Sequence, residues 1–375
     1  MRLCYIGWAD HVHLIRWVDY FAMLGHNVLV LTPSENPNKI ANVRVIRLFT
    51  RKSRRCFSDL EYTFWTHLFR SQLIHAHWAG FGSSAFIASR NRIPYGITVW
   101  GSDIYRLNKF PVYEQQKIIH SLKNATFITC DSNDLKKRLI DLGITSEIIY
   151  VIQWGVDTKI FRPDIDIRNI RTKLRIPEKS IIIFSPRQTS PIYNLETIME
   201  AFAKLLLDYP NAILIQKYYK TTPERLTELK NYAQLLGIYD RMRWVGNIPY
   251  KNMPLFYCLA DIVVSVPSSD GTPMSILEAM ACARPIIASN LPSVKEWIKD
   301  GENGLLVPPK DADALVKALT FLIKNKEKRC FWGKINRQIV IERASQTLHM
   351  KRMEEIYENV IKNWNLKRRR CSELV

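Results

Sequence analysis

Short runs rich in β-branched and aromatic residues alternate with stretches of helical periodicity along the whole chain, a pattern that predicts parallel sheets joined by crossover helices. In the first half LCYIGW, NVLVLT, VRVIRL, LIHAHW, GITVW, ATFIT and IIYVI read as strands. Between the first two, Leu14, Trp17, Val18, Phe21 and Leu24 fall at helical spacing and Gly25 stops the helix. A second series runs through IIIFSP, AILIQ, MRWVG, DIVVSV, RPIIAS and GLLV, alternating with helices over 194–209, 224–236 and 252–260. Between the series, QWGVDTKIFRPDIDIRN has the glycine, proline and charge of a linker and places a boundary near 160 to 175. The expected organisation is therefore α/β with two doubly wound, Rossmann-like domains, 1–165 and 166–342. The last helical stretch, about 343 to 364, has no strand after it, so 343–375 must dock on a domain already built and end in a basic tail.

Within the second series SSDGTPMSILEAMACA raises a local problem. Glu278 stands among Ile276, Leu277, Ala279, Met280, Ala281 and Cys282, an apolar run that predicts a buried helix, and a buried carboxylate is costly unless something partners it. Thr272 followed by Pro273 has the form of an N-cap with proline in the first turn. The unpaired amides of that turn and the helix dipole form an anion site. Side chains lean toward a helix's amino end, so Glu278 can point at whatever that end holds, and Asp270 lies in the loop beside it. A phosphate at the helix end with hydroxyls on both flanks satisfies both acids, which outlines a nucleotide sugar. The bland alternative is a pair of acids that merely complement the dipole.

At 375 residues the chain exceeds one ordinary core, and 47% hydrophobic with 24% charged residues is a globular composition. No apolar run reaches the roughly 18 residues of a membrane span, and Asp10 and His11 interrupt the N-terminus before a signal-peptide core forms, so the expected location is cytoplasmic. Seven scattered cysteines with no CxxC pair exclude a disulfide framework and a zinc knuckle. The net charge of +19 is concentrated toward the two ends of the chain, with local runs at 51–55, 136–138 and 367–370. Anionic lipid, a phosphorylated acceptor and nucleic acid all fit such runs, as does a plain solvated surface.

The residues of the second half resemble a known family. DGTPMSILEAMACARPIIAS followed by EWIKDGENGLLVPPKDADAL is similar to the nucleotide-binding region of the family 4 retaining glycosyltransferases (glycosyl transferases group 1). That family has the GT-B fold, two facing Rossmann-like domains with a cleft between them. IGWADHVHLIRWVDYFAMLGHNVLVL, LIHAHWAG, GITVWGSDI and VIQWGVDTKIFRPD agree, so nearly the whole chain is covered. The resemblance implies that Asp270 contacts sugar hydroxyls and Glu278 the ribose, with Gly271, Thr272, Pro273, Met274 and Ser275 forming the donor-binding turn. It also implies that Arg187 in SPR stabilises the departing diphosphate; Lys217 and Gly246, after the next two strands, complete the donor side.

Three departures from the family stand out: Asp270 stands where most members carry Glu, the pair Tyr193-Asn194 where many carry Lys-Gly, and Trp100 where many carry His. In the first half Asp103 of WGSD joins the catalytic candidates, and His13, His77 and Trp100 the acceptor side. His75 and His77 share a strand face and could in principle hold metal, but no carboxylate or cysteine cluster accompanies them. DID at 164–166 has the DxD form but sits in the linker, and the first turn carries only Gly7, without GxGxxG or a Walker sequence.

These features give the expected function: transfer of a sugar from a nucleotide diphosphate sugar, UDP or GDP, to a glycan or lipid-linked acceptor with retention of configuration, with no metal or other cofactor. An epimerase of the same fold and a donor-binding scaffold without turnover are the alternatives. Nucleic acid is not an expected partner. An anionic membrane surface is, because Phe57, Leu60, Phe64, Trp65, Leu68 and Phe69 follow Arg51, Lys52, Arg54 and Arg55 at largely helical spacing, which puts the enzyme on the inner face as a peripheral protein.

Overall fold

The computed structural model describes residues 1–48, 55–219 and 221–373, side chains at 55–59, 369 and 371–373 excepted. The chain forms two compact units, Met1–Trp154 with Leu348–Val375, and Gly155–Thr347.

The first unit is built on a seven-stranded sheet: β1 (Arg2–Ile6), β2 (Asn27–Thr32), β3 (Val43–Arg47), β4 (Leu73–His77), β5 (Tyr95–Thr98), β6 (Phe127–Cys130) and β7 (Ile149–Val151). The order is β3-β2-β1-β4-β5-β6-β7 and every pairing is parallel. Alternation along the strands assigns the two faces. Cys4, Ile6, Ile74, Ala76, Ile97 and Ile128 enter one core with helices Arg55–Leu68, Gly82–Ser89 and Val112–Lys123. The opposite face presents Tyr5, His75, His77 and Phe127, and Trp17, Phe21 and Tyr357 supply ring contacts to it.

Tyr357 belongs to the last helix, Gln346–Glu373, which answers where that helix docks. The Trp17 indole donates to the Tyr357 hydroxyl (3.1 Å), which contacts His75 Nδ1 (2.5 Å), while His75 Nε2 meets Thr98 Oγ1 (2.7 Å) and Thr98 meets Thr129 (2.6 Å). A buried polar chain of this kind is tolerable because each member has a partner. Burial pushes the His75 pKa down to about 3, so the ring is neutral and structural.

The second unit carries a six-stranded parallel sheet of β8 (Ile181–Ser185), β9 (Ala212–Lys217), β10 (Met242–Val245), β11 (Ile262–Ser265), β12 (Ile286–Ser289) and β13 (Leu305–Val307), in the order β10-β9-β8-β11-β12-β13. Separate hydrophobic clusters cover its two faces, the signature of double winding. The winding reverses between β8 and β11, and the carboxyl ends of strands at such a switch point are where open parallel sheets bind ligands.

The segment with linker composition is packed into this unit from Gly155 onward. Val156 and Phe161 are buried, and Val156 pairs with the segment at 344–346 through its amide to Ala344 O (2.8 Å) and its carbonyl from Gln346 N (2.9 Å). Gly155 has φ +67°, and a Cβ there would stand 2.4 Å from Gln346 Cα. The chain thus changes units at 154/155 and 347/348, where the sequence pattern placed the changes at 165/166 and 342/343.

Candidate functional site

The carboxyl ends of three neighbouring strands, β9, β8 and β11, gather the charged residues of the second unit. Arg187, two residues past β8, places Nη2 2.7 Å from Asp270 Oδ2 and donates through Nη1 to Ser275 Oγ (3.0 Å), and its guanidinium lies 4.3 Å over the Tyr193 ring. The contact to Asp270 is an ion pair, and the carboxylate oxygen that makes it, Oδ2, is shielded from solvent.

Electrostatics in the pair pull in two directions. Burial raises the Asp270 carboxyl, opposed by the Arg187 charge and the Gly271 amide. Burial also works against the charge on Arg187, but Asp270 and Tyr193 more than offset it and hold the guanidinium above its ordinary value. A permanently charged arginine at 2.7 Å keeps the pair ionised. Lys217, at the end of β9, falls in the same field: burial lowers its pKa, Glu278 raises it and Arg187 lowers it again. Two cations and two acids therefore share one strand edge.

Glu278 finds the partner that its apolar helix demands in Tyr257, whose hydroxyl donates to Oε2 at 2.8 Å. Burial and this carboxylate together push the Tyr257 hydroxyl well above its ordinary pKa, so it stays a donor. The helix itself runs Met274–Ala281 with Pro273 as its N-cap, one residue later than the Thr272 cap that the sequence predicts. Thr272 is buried in the preceding turn, and the amides of Met274 and Ser275 are the ones no intrahelical carbonyl can reach.

Three side chains hold the loop that carries Asp270, and of these the sequence marked only Asn194, as a departure from the family. Asn194 Nδ2 donates to Val266 O (2.8 Å) and Ser268 Oγ (2.9 Å), Ser289 Oγ to Pro267 O (2.6 Å) and Ser293 Oγ to Asp270 O (2.8 Å). Buried Gln216 fixes the other side, donating to Arg187 O (3.0 Å) and Lys217 O (2.6 Å). Asn194 has φ +50°, a left-handed conformation that glycine adopts freely and asparagine tolerates best among other residues. The Tyr193-Asn194 departure thus keeps the backbone turn, and Tyr193 lays its ring against the arginine. Gly246, after β10, packs against Tyr218, where a Cβ would meet the phenol oxygen at 3.2 Å.

In the first unit the candidates divide. Trp100 is the hub of a ring cluster, 4.4 Å from His11, 5.8 Å from both Trp8 and His13 and 5.7 Å from Trp154, on which His13 also stacks at 4.5 Å. His77 is fully buried behind these rings, against Trp17, Tyr5 and His75, and burial drives its pKa well below the ordinary value. It is a core group rather than an open acceptor contact.

Asp103 likewise is not a free cleft carboxylate. It is fully buried, with Oδ2 accepting from the Ala79 amide (2.8 Å) and both oxygens facing the Trp100 amide (3.0 and 3.1 Å), so it braces the turns that follow β4 and β5. Asp164 and Asp166 of the DxD signal are exposed and paired with Arg162 and Arg168. Among the described residues no cluster of three potential metal ligands occurs.

Comparison with known proteins covers both units. Residues 166–339 match the profile of glycosyl transferases group 1, and residues 11–160 that of glycosyltransferase family 4. N-acetyl-alpha-D-glucosaminyl L-malate synthase of Bacillus anthracis is 22% identical over 295 residues, 78% of this chain and 75% of that protein. An exopolysaccharide phosphotransferase of Streptomyces coelicolor is 28% identical over 194 residues, 51% of this chain and 20% of that protein. The chain spans less than half the length of the first curated relatives it matches. The crystal structure of Anabaena HepE in complex with UDP has a TM-score of 0.83 at 17% identity, covering 96% of this chain and 100% of that one; at this identity the likeness is one of fold, GT-B.

Asp103 yields a pH test. Burial pushes its carboxyl up to about 6, against the pull of the surrounding amides. The folded state therefore favours the protonated acid: the contribution is complete below the unfolded value near 4 and is lost as pH rises through about 6. Asp103→Asn cannot ionise, so in urea unfolding it should gain about 2 kcal/mol on the natural protein between pH ~4 and ~7. A stability difference that stays flat over that range contradicts the assignment.

Proposed function

Since the chain belongs to the family 4, group 1 glycosyltransferases, we propose that it moves a sugar from a nucleotide diphosphate sugar to an acceptor hydroxyl with retention at the anomeric carbon. The observation that carries this reading is the meeting of Arg187, Lys217 and the free amides of Met274 and Ser275 at one strand edge, flanked by Asp270 and Glu278. Cations and amides suit the diphosphate. The acids suit hydroxyls: Glu278, with one oxygen held by Tyr257, accepts from the ribose, and Asp270 from the sugar.

As the bond from the anomeric carbon to the phosphate oxygen breaks, its electron pair goes to the phosphate, and Arg187 with the helix amides stabilises that growing charge. The acceptor oxygen attacks on the same face and passes its proton to the departing phosphate oxygen, so no side chain serves as general base. Fixed charges replace a metal in this scheme. UDP is the favoured nucleotide, supported by a structural neighbour solved with it, with GDP the second choice.

For the acceptor we favour a glycan or lipid-linked precursor met at an anionic membrane surface. Support comes from helix Arg55–Leu68, where Leu60, Phe64 and Leu68, one turn apart, are 59, 58 and 57% exposed, while Trp65 and Phe69 pack on the core. The basic run at Arg51, Lys52 and Arg54 lies outside the described residues, as do the side chains of Arg55 and Phe57. No described helix is long and apolar enough to cross a membrane.

Transfer measured with a panel of UDP- and GDP-sugars should persist in EDTA, and Arg187→Ala should lower kcat on the order of a hundredfold while raising the donor KM less. Loss in EDTA restored by Mg²⁺ or Mn²⁺, or a folded Arg187→Ala enzyme with undiminished kcat, would overturn the mechanism. Product that forms without any acceptor would redirect the reading to an epimerase. Changing Leu60, Phe64 and Leu68 to Ser should weaken flotation with anionic liposomes and leave donor binding intact; equal flotation of both proteins removes the membrane contact.

A further inference from the structure

At the amino-terminal edge of the seven-stranded sheet lies a pocket of about 490 Å³ whose wall carries Arg2, Arg70, Arg90, Arg92 and Arg368 and no acid. It opens beside the first residues of β1, β4 and β5, roughly 15 Å along the strands from Trp78 and Trp100 at the opposite edge, so it is separate from the acceptor candidates. The donor candidates belong to the other unit.

Exposed arginines are ordinary, and arginines without a carboxylate occur elsewhere too: Arg138, Arg162, Arg168 and Arg225 each hold one, whereas Arg171, Arg243 and Arg329 bond to backbone carbonyls instead. What distinguishes the pocket arginines is that five of them gather in one concavity. Among the described residues the five pocket arginines hold none, although they share one concavity. Their guanidinium groups repel one another, and that repulsion becomes attraction when an anion enters.

The pocket is also built rather than incidental. Arg2 Nε donates to Arg70 O (2.7 Å), which leaves both terminal nitrogens of Arg2 for a ligand. Trp364 Nε1 and Arg368 Nη1 both donate to Arg92 O (3.2 and 3.3 Å) and tie the last helix to the loop before β5. Arg70 and Arg90 each end a helical segment at φ +53° and +45°, where glycine or asparagine is unstrained, so the backbone tolerates local strain to place a guanidinium there.

We propose that this pocket is a phosphate-binding site, taking a phosphomonoester or diphosphate group through bidentate arginine contacts. The planar arginine fork matches phosphate oxygens, and the volume admits a small phosphate ester or a phospholipid headgroup. The phosphate can come from a soluble ester or from a lipid, and one experiment separates the two.

The full chain carrying Arg187→Ala, which weakens pyrophosphate binding at the donor site, is titrated with pyrophosphate by calorimetry and mixed with vesicles of phosphatidylcholine containing phosphatidic acid. Arg90→Gln with Arg92→Gln is compared with a control that removes the same charge elsewhere, Lys123→Gln with Lys137→Gln. Thermal unfolding verifies that each variant is folded. The arginine changes should weaken ligand binding on the order of tenfold and the control should not. Arginine-dependent pyrophosphate binding without vesicle binding assigns a soluble ester; arginine-dependent vesicle binding that pyrophosphate displaces assigns a lipid headgroup. Binding of neither probe, or equal losses in the arginine and lysine variants, overturns the proposal.

Discussion

The ion pair between Arg187 and Asp270 ties the carboxyl end of β8 to the loop after β11, and the candidate site of the second unit is arranged around it. A guanidinium so little exposed needs a carboxylate, the carboxylate sits on a loop after β11, and Asn194, Ser289 and Ser293 hold carbonyls of that loop. Removing one partner of such a buried pair typically costs about 3–5 kcal/mol, since the other is left charged and unpaired. The same arrangement leaves the first-turn amides of Met274 and Ser275 without intrahelical partners. A ligand bearing phosphates and hydroxyls can then add contacts without breaking those that hold the site.

The first unit meets a similar problem with neutral groups. Its sheet face carries histidines where an apolar side chain would be simpler, and the last helix answers with Tyr357, which joins Trp17, His75 and Thr98 in one buried chain. Burial keeps His75 neutral, so the face is held by hydrogen bonds between dipoles and needs no counter-ion. Asp103 does the equivalent work at the carboxyl edge, where it orders the turns bearing Trp78 and Trp100.

The strands, their parallel winding and the division into two halves were legible in the sequence, because buried parallel strands leave short apolar runs whatever their neighbours. The need of Glu278 for a partner was equally legible, but Tyr257 lies 21 residues away on another helix and no local pattern marks it. Asp103 read as a reactive acid since it follows a strand; that two amides from different turns close on it is a tertiary fact. Asn194 read as a departure from the family and proves to preserve the left-handed turn. The pocket escaped notice because sequence reveals basic runs, such as 367–370 with Arg368, whereas Arg2, Arg70, Arg90 and Arg92 are scattered along the chain.

The central claim is that Arg187 and Lys217 with the amides of Met274 and Ser275 form a cradle for a diphosphate. Calorimetry with UDP and UMP on the natural protein and on Arg187→Ala tests it most directly, because the ratio of the two affinities isolates the second phosphate. The account predicts that UDP binds the natural protein tighter than UMP by on the order of tenfold or more, and that Arg187→Ala erases most of that advantage. An unchanged UDP-to-UMP ratio in a folded Arg187→Ala protein would contradict it.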